Sequence, residues 1–506
     1  MANEGRTKKS VTNIVFNLSN QILTLVLAFV SRSVFIHKLG IDYLGLNGLF
    51  TDVLGLLSVA DLGFNTAMVY SFYKPLANND REKLAGLITF YRKVYSIIAV
   101  AVSVLGVALI PVLPYIINLE AEVPNLYVYY LLALVNVVIS YLCIHKTSIL
   151  TADQKQYKTT LITMIIGIVK TVVQIGVLLL WSDYIIYLVV GCIGVLSANV
   201  ISSLIAGKEY PYINHRTQLP KEDKRGIYKN VFSVLIYKVS TVLITATDNV
   251  LISILIGTVA VGYYSNYLLL QNKIYVFYSL IFTSTTASIG NLIANNKEEK
   301  RYEIFACEQV FSYLLCGIIV PCYVLLANDM IGIWLGAEYI LPYDLVIATG
   351  LSMYLGCVLQ PLWSYREATG MYQKTKWVML ICATLNLILS ILLGNLIGLT
   401  GIILATSISK FATTIWYESK VLFRDYFDKK AKKFYLGLVQ NMIAVTLLIL
   451  LGSFASKNII IHSWGAWILK ACCIGSVSLV LIVLVYIRTS EFKMLKNKAM
   501  GIIRRK

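Results

Sequence analysis

Long apolar runs, each followed by a short cluster of charged residues, make up most of the chain. A helix of about 20 residues crosses the roughly 30 Å of hydrocarbon in a bilayer, and the runs have this length, so each is predicted to be a transmembrane helix. The pattern predicts fourteen helices, over residues 11–36, 42–73, 88–113, 124–150, 158–181, 184–206, 228–256, 260–293, 304–327, 341–366, 374–393, 396–418, 434–454 and 462–487. The predicted fold class is therefore an all-α polytopic membrane protein.

Composition agrees with this prediction and excludes a soluble protein. Apolar residues form 58% of the chain and charged residues 14%, whereas soluble domains carry about a quarter charged residues. The nine cysteines lie in or beside the apolar runs without metal or disulfide spacing. The first run lacks a small-residue cleavage site, so we expect a transmembrane helix rather than a removable signal peptide.

The distribution of basic residues predicts the orientation. The net charge of +18 does not indicate nucleic-acid binding, because the basic residues sit in alternate loops. With a cytoplasmic N-terminus, 36 of the 44 Lys and Arg residues fall on the cytoplasmic side, as the positive-inside rule requires. We therefore expect a bacterial inner-membrane protein with both termini in the cytoplasm and anionic lipids at its cytoplasmic face.

A short internal repeat predicts two similar lobes. The segment Gly40 to Gly45 recurs as Gly257 to Gly262 at an offset of 217 residues. Six helices per copy give both copies one orientation, as in transporters with parallel repeats and a substrate path between them. The predicted division is an N-lobe over 1–207 (helices 1–6), a cytoplasmic linker over 208–227, a C-lobe over 228–420 (helices 7–12), and helices 13 and 14 with a basic tail over 421–506.

Polar stripes run along five of the predicted helices. A lipid-facing surface should be apolar, so such stripes must face protein or a water-filled cavity. The stripes consist of Asn13, Asn17, Asn20, Thr24 and Ser31; Asp52, Gly55, Ser58, Asp61 and Asn65; Thr163, Gly167, Lys170 and Gln174; Lys238, Thr241, Thr245 and Asp248; and Asn266, Lys273, Ser284, Ser288 and Asn291. Asn and Ser stripes also hold helices together, and that alternative stays open here.

The deep charges are mostly basic. Six basic residues and three acids lie inside predicted helices, and this excess suits a polyanionic passenger. Arg32, Lys410 and Lys470 have a second interpretation, because long basic side chains near helix ends reach the headgroups. For the deep lysines the alternative is a structural ion pair, for example of Lys238 or Lys273 with Asp248 or Asp61.

Five segments carry a resemblance to a known family: Gly40 to Gly45, Ala60 to Gly63, Asp248 to Ser253 with Gly257, Val261 to Tyr267, and Ala287 to Asn291. Together they resemble Wzx-type polysaccharide flippases, which are relatives of the lipid II flippase MurJ and of MATE multidrug extruders. The resemblance implies two six-helix lobes around a central cationic cavity, alternating access, and a passenger of undecaprenyl-pyrophosphate-linked oligosaccharide. It also implies that basic residues of helices 1, 7 and 8 hold the pyrophosphate, which here are Arg32, Lys238 and Lys273.

The predicted function is therefore a flippase for lipid-linked repeat units in cell-surface polysaccharide synthesis, with no cofactor, no metal and no catalytic residue. Lipid II flipping, cation-coupled drug extrusion and sugar polymerisation are the alternatives; the outer loops are short and hold no catalytic motif. A proton or sodium ion is a candidate coupling ion, and a polysaccharide polymerase a candidate partner. The predicted site consists of Arg32, Lys170, Lys238 and Lys273 for substrate, Asp248 and Asp61 for coupling, and Asn20, Thr241, Thr245, Asn266 and Ser284 as cavity lining.

Overall fold

The computed structural model describes residues 2–119, 123–215, 217–294, 298–456, 459 and 461–503. Side chains are not described for residues 2–11, 14, 59–63, 65–67, 70, 221–223, 225–226, 228–234, 283–294, 298–300, 372 and 498–503. Every regular element within the described ranges is helical, so the predicted all-α fold class is confirmed.

The contacts divide the chain into two units, residues 1–262 and 263–506. The α-helices of unit 1 are α1 Ala2–Leu39, α2 Ile41–Leu57, α3 Val59–Ala77, α4 Arg81–Ala108, α5 Leu113–Ile116, α6 Leu126–Tyr141, α7 Ile144–Ala152, α8 Gln156–Leu180, α9 Tyr184–Glu209 and α10 Lys221–Leu255. Short 3-10 helices follow α4 and α9, at Ile110–Val112 and Pro211–Asn214. Helix α10 packs on α2 and α3 within this unit. The division into lobes at residues 207 and 228, which rests on the repeat, stays a prediction.

Helix α11, Thr258–Ala294, begins in unit 1 and continues into unit 2. The remaining α-helices of unit 2 are α12 Glu298–Trp334, α13 Tyr343–Thr369, α14 Tyr372–Ala412, α15 Thr414–Tyr426, α16 Lys432–Ser456, α17 Trp464–Tyr486 and α18 Ser490–Ile503. A 3-10 turn, Ala337–Tyr339, precedes α13. Within unit 2, α12 packs against α13, α16 and α17. Among the long apolar helices of the described residues, only α13 is more buried than α12.

Each of the fourteen predicted ranges is mainly helical, but some of them contain breaks that the apolar pattern does not predict. The second predicted helix is broken at Ser58, whose hydroxyl donates to the Leu54 carbonyl. The fourth bends by 48° between α6 and α7. The predicted boundary between the eleventh and twelfth ranges, at residues 393–396, lies beside a kink within α14 at Ile397 and Gly398, where the glycine takes a φ of 64°.

Ten helices in the described residues are long and apolar enough to cross a membrane, or eleven if the bent α6–α7 pair is one span. The chain is thus a multi-pass membrane protein, and the count of fourteen spans is not confirmed. Part of the difference has a structural cause. The range 373–426 is one apolar segment in the total of ten, although it contains the kink at Gly398, so the predicted helices 11 and 12 contribute one span instead of two.

The two copies of the repeat contact each other within unit 1. A β-carbon added to Gly45 would lie 2.1 Å from the carbonyl oxygen of Thr258, and one added to Gly262 would lie 2.6 Å from that of Ile41. Ile41 and Thr258 are equivalent at the 217-residue offset, as are Gly45 and Gly262. The contact is therefore reciprocal, and each glycine is needed because the opposite backbone leaves no room for a side chain.

A chain of hydrogen bonds fixes one side of this contact. The backbone N–H of Asn118 donates to the Thr258 hydroxyl at 2.9 Å, and the Ser253 hydroxyl donates to the Ile116 carbonyl at 2.7 Å. The 2.7 Å bond between the two hydroxyls must then run from Thr258 to Ser253, because the Ser253 hydrogen is already used. Thr258 also donates its own N–H to the Asn118 carbonyl, so both its backbone and its hydroxyl are bonded to the backbone of Asn118.

Candidate functional site

A polar cavity of about 250 Å³ lies in unit 1 where α1 faces α8 and α9. The stripes predicted on helices 1 and 5 meet here, since α1 and α8 pack against each other along their length. Lys170 is the one charged residue among those lining the cavity, and none of them is acidic. The lining consists of Asn20, Leu23, Thr24, Leu27, Ala28, Ser31, Thr163, Met164, Gly167, Lys170, Thr171, Gln174 and Tyr187.

The first turns of the α1 stripe hold helices together instead of lining the cavity. The Asn13 amide donates to the Gln154 carbonyl at 3.0 Å and accepts from the Tyr157 N–H at 2.7 Å. One turn further, the Asn17 side chain accepts from the Thr160 hydroxyl at 3.2 Å. Both interpretations of the asparagine stripe therefore apply: Asn13 and Asn17 hold α1 to its neighbours, whereas Asn20 lines the cavity.

Lys170 lies between α8 and α9 because a glycine leaves space for its aliphatic stem. A β-carbon on Gly194 would be 2.7 Å from the Lys170 Cδ atom. One helical turn away, the Gln174 side chain donates to the Tyr187 carbonyl at 3.0 Å. The stem of Lys170 is thus packed on protein, and its ammonium group belongs to the wall of the cavity.

Tyr187 near the start of α9 lines this cavity and belongs to a cluster of aromatic rings. Tyr187 makes a hydrogen bond with Ser31 and interacts electrostatically with Arg32. Its ring lies 5.2 Å from that of Phe35, edge to face, and Phe35 also contacts Tyr184 at 5.8 Å. Tyr187 is not among the site residues predicted from the sequence; its position three residues after Tyr184 was the available signal, because residues at that spacing share a helix face.

A second polar contact joins α2 to α10. The amide of Asn249 donates to the Asp52 carboxylate at 2.5 Å, so this deep acid is engaged by an amide rather than by a lysine. The Thr241 and Thr245 hydroxyls donate back to carbonyls of their own helix. Asp248, the predicted coupling acid, is partly buried beside Asn249.

Lys238 and Lys273 are partly buried near the middle of α10 and in the first half of α11. Neither of them, nor Lys170, forms an ion pair among the residues whose side chains the structure describes. Asn266 is completely buried, so it reaches no open cavity in this structure, and its assignment as cavity lining stays a prediction. The predictions for Asp61 and Ser284 fall on side chains outside the described set.

Other deep charges are paired inside unit 2. Lys470 on α17 lies 2.7 Å from the Asp329 carboxylate on α12. Arg366 and Glu418 form a buried pair at 3.0 Å between α13 and α15. These contacts are structural, and they remove Lys470 from the set of basic residues available to a passenger.

The polysaccharide biosynthesis protein family matches residues 10–287, more than half of the 506 residues. The chain belongs to this family. The match covers the cavity between α1 and α8, the Asp52–Asn249 contact and both Lys238 and Lys273. No curated protein sequence matches the chain.

Solved structures of transporters share the fold. A lipid II flippase MurJ in an inward closed conformation matches with a TM-score of 0.66 and 16% identity, over 94% of this chain and 99% of that chain. An inward-facing multidrug resistance MATE transporter of the MOP superfamily matches at 0.57 and 15%, over 81% and 98%. A MATE transporter of Vibrio cholerae matches at 0.52 and 14%, over 82% and 98%. The family member described here thus has the fold of MOP-superfamily transporters, and the predicted relation to Wzx-type flippases is confirmed.

Proposed function

We propose that this protein flips undecaprenyl-pyrophosphate-linked oligosaccharide units from the inner to the outer leaflet of the bacterial inner membrane by alternating access. Membership of a polysaccharide biosynthesis family supports the pathway, and the fold supports transport. The observation that carries the choice of passenger is that Lys170, Lys238 and Lys273 have no carboxylate partner among the described side chains.

An unpaired lysine deep in an apolar helix costs at least about 2.5 kcal/mol, so it persists only where water or an anion meets it. Pyrophosphate is such an anion, and lysine ammonium groups donate charge-assisted hydrogen bonds to phosphate oxygens. Around Lys170, the Thr171 hydroxyl and the Asn20 amide add neutral donors. In this proposal the lysines bind the pyrophosphate, while hydroxyl and amide groups of the cavity meet the first sugar.

No acidic residue is among the described lining of the cavity beside α1. This argues against a drug extruder for cations, because a cationic drug would be repelled by Lys170. Lipid II, which also carries a pyrophosphate, is the second candidate substrate. It is favoured by the extent of the MurJ match, 94% of one chain and 99% of the other. The two substrates differ in the headgroup beyond the pyrophosphate, so competition between them in one assay distinguishes the two functions.

We also propose that Asp248 couples transport to an ion gradient. The carboxylate lies on α10, on the same helix face as Lys238 and nearly three turns beyond it. Moving one charge through the membrane potential is worth about 2.3 kcal/mol per 100 mV, enough to bias two conformations that differ by a few kcal/mol. Asp248→Asn should make flipping insensitive to dissipation of the proton or sodium gradient. An unchanged rate with unchanged sensitivity would exclude Asp248 as the coupling site.

The substrate proposal is tested with fluorescent lipid-linked oligosaccharide in vesicles that contain the purified protein. Each charge-assisted hydrogen bond contributes about 1.5–3 kcal/mol, so Lys238→Gln and Lys273→Gln should each slow flipping by about tenfold or more. Lys430→Gln, at an exposed position after α15, is the matched control and should flip at the normal rate. Normal flipping by Lys238→Gln, Lys273→Gln and Lys170→Gln would contradict the proposal.

A further inference from the structure

A second cavity in unit 1, separate from the one beside α1, has a volume of about 460 Å³. It lies between the first half of α4, the start of α7 and the turn after α9, at the end of the unit that the basic-residue pattern assigns to the cytoplasm. We refer to it as the α4–α7 cavity. Its lining consists of Ile88, Thr89, Arg92, Lys93, Ser96, Ile97, His145, Lys146, Ile213, Asn214 and His215.

The α4–α7 cavity is basic. Three cationic side chains and two histidines line it, and no acidic residue is among its lining. Arg92 and Lys93 have no ion pair among the described side chains, and Lys146 donates to the neutral Asn214 amide at 2.9 Å. Such a surface attracts an anion, because the positive charges have no local counter-charge.

Acidic residues at the same end of unit 1 are already paired with other lysines. Lys155 lies 2.6 Å from Asp153 and 2.6 Å from Glu209, and Lys158 also pairs with Glu209. The Tyr210 hydroxyl donates to Asp153 at 2.6 Å. These carboxylates are therefore engaged away from Arg92 and Lys93.

A buried histidine provides a second and independent indication of a ligand. His145 lines the α4–α7 cavity and is only 6% exposed. Its Nδ1 atom is buried and has no hydrogen-bond partner in the described structure. An unsatisfied buried polar atom costs about 1–3 kcal/mol. The Nδ1 atom is covered by protein in this structure, so a phosphate oxygen reaches it once the ring turns toward the cavity, and the neutral ring can then carry its proton on Nδ1 and donate it.

The surface above the cavity indicates a lipid as the source of the phosphate. Ile97, Val100 and Val104 are 69%, 64% and 63% exposed. They follow Lys93 at steps of three and four residues, so the four side chains form one stripe along α4. A lipid with its headgroup in the cavity would lay its acyl chains along this stripe, whereas a soluble phosphate would make no use of it.

We propose that the α4–α7 cavity binds the phosphate headgroup of an anionic membrane phospholipid. The Arg92 guanidinium suits this ligand, because its planar fork donates two parallel hydrogen bonds to one phosphate. Lys93, Lys146 and His145 supply the remaining donors. The lipid is a resident ligand of the cytoplasmic leaflet and is distinct from the transported substrate, so the proposal does not depend on which substrate is flipped.

The test uses the full-length protein, purified and reconstituted in phosphatidylcholine nanodiscs with or without phosphatidylglycerol. Native mass spectrometry after release counts the retained lipids, and a thermal shift measures their effect on stability. The pocket variant is Arg92→Gln with Lys93→Gln. Its matched control is Lys420→Gln with Lys430→Gln, which removes the same charge from two exposed positions. The variant His145→Leu removes the unsatisfied nitrogen while every Lys and Arg stays in place.

We expect the wild type to retain phosphatidylglycerol and to gain thermal stability from it. The pocket variant should bind it about tenfold or more weakly, since each basic residue near an anionic surface contributes about a fivefold factor. His145→Leu should also bind more weakly, and the control should change by less than about twofold. Equal loss in the control and the pocket variant would overturn the proposal in favour of general surface electrostatics. The same stabilisation by inorganic phosphate alone would overturn the lipid assignment. Normal retention of phosphatidylglycerol by both the pocket variant and His145→Leu would also overturn it.

Discussion

Gly45→Ala tests whether the reciprocal contact between α2 and α11 is as tight as the structure shows. The new β-carbon would lie 2.1 Å from the Thr258 carbonyl oxygen. An ordinary contact needs about 3.4 Å, so one backbone must retreat by about 1.3 Å. Thr258 cannot retreat without disturbing its hydrogen bonds to Asn118 and Ser253.

The magnitude follows from two opposing effects. Overpacking of this kind costs about 1–3 kcal/mol, while Gly to Ala in a helix gains up to about 1 kcal/mol from propensity. Gly55→Ala isolates the second effect, because Gly55 lies on the same helix and an added β-carbon would meet nothing within 4 Å. We therefore expect Gly45→Ala to be less stable than Gly55→Ala by about 2 kcal/mol.

The assay is thermal unfolding of the purified variants in detergent, followed by circular dichroism at 222 nm. Gly262→Ala adds a graded test, because its β-carbon would lie 2.6 Å from the Ile41 carbonyl oxygen and needs a smaller retreat. The expected order of stability is Gly55→Ala, then Gly262→Ala, then Gly45→Ala. A Gly45→Ala protein that melts at or above the temperature of Gly55→Ala would refute the reasoning.

Three further predictions concern the candidate site and the topology. Gly194→Ala should push the flexible Lys170 side chain away from α9, which should slow flipping in vesicles while the free energy of unfolding stays within about 1 kcal/mol of wild type; full activity would contradict a contact between Lys170 and the passenger. Asn249→Ala should destabilise the protein by about 1–3 kcal/mol, because it removes the hydrogen-bond donor to the partly buried Asp52 carboxylate on α2. A melting temperature no lower than that of the wild type would contradict this role. Single cysteines placed at Asp183 and Lys221 should react with impermeant reagents from opposite sides of the membrane; labelling from one side would exclude the predicted orientation.

The helical segments could be predicted because apolar runs of the required length are a local property of the sequence. The breaks inside the predicted ranges depend on local backbone details. One is the bend of 48° between α6 and α7, inside a single apolar range. A second is the break at Ser58, where a serine hydroxyl bonds to a carbonyl one turn earlier. Hydrophobicity does not report either feature.

For the candidate site, the sequence identified residues but not their partners. Asn20 and Lys170, which the stripe spacing predicts to face inward, both line one cavity. The partner of Asp52, however, is 197 residues away, and the partner of Lys470 is 141 residues away. Such pairings depend on which helices pack together, and a single sequence contains no record of that packing.

The reciprocal glycine contact also bears on the difference between a two-fold contact within one chain and the same contact in a symmetric dimer. In a symmetric dimer one glycine would provide both halves of the contact, so a single substitution would act twice. In one continuous chain, Gly45 and Gly262 are separate positions and can change independently. The residues opposite them differ, since the Thr258 hydroxyl takes part in the Asn118 and Ser253 bonds, whereas Ile41 offers only a hydrocarbon side chain. The contact is therefore symmetric in its backbone, while its two sides differ in chemistry.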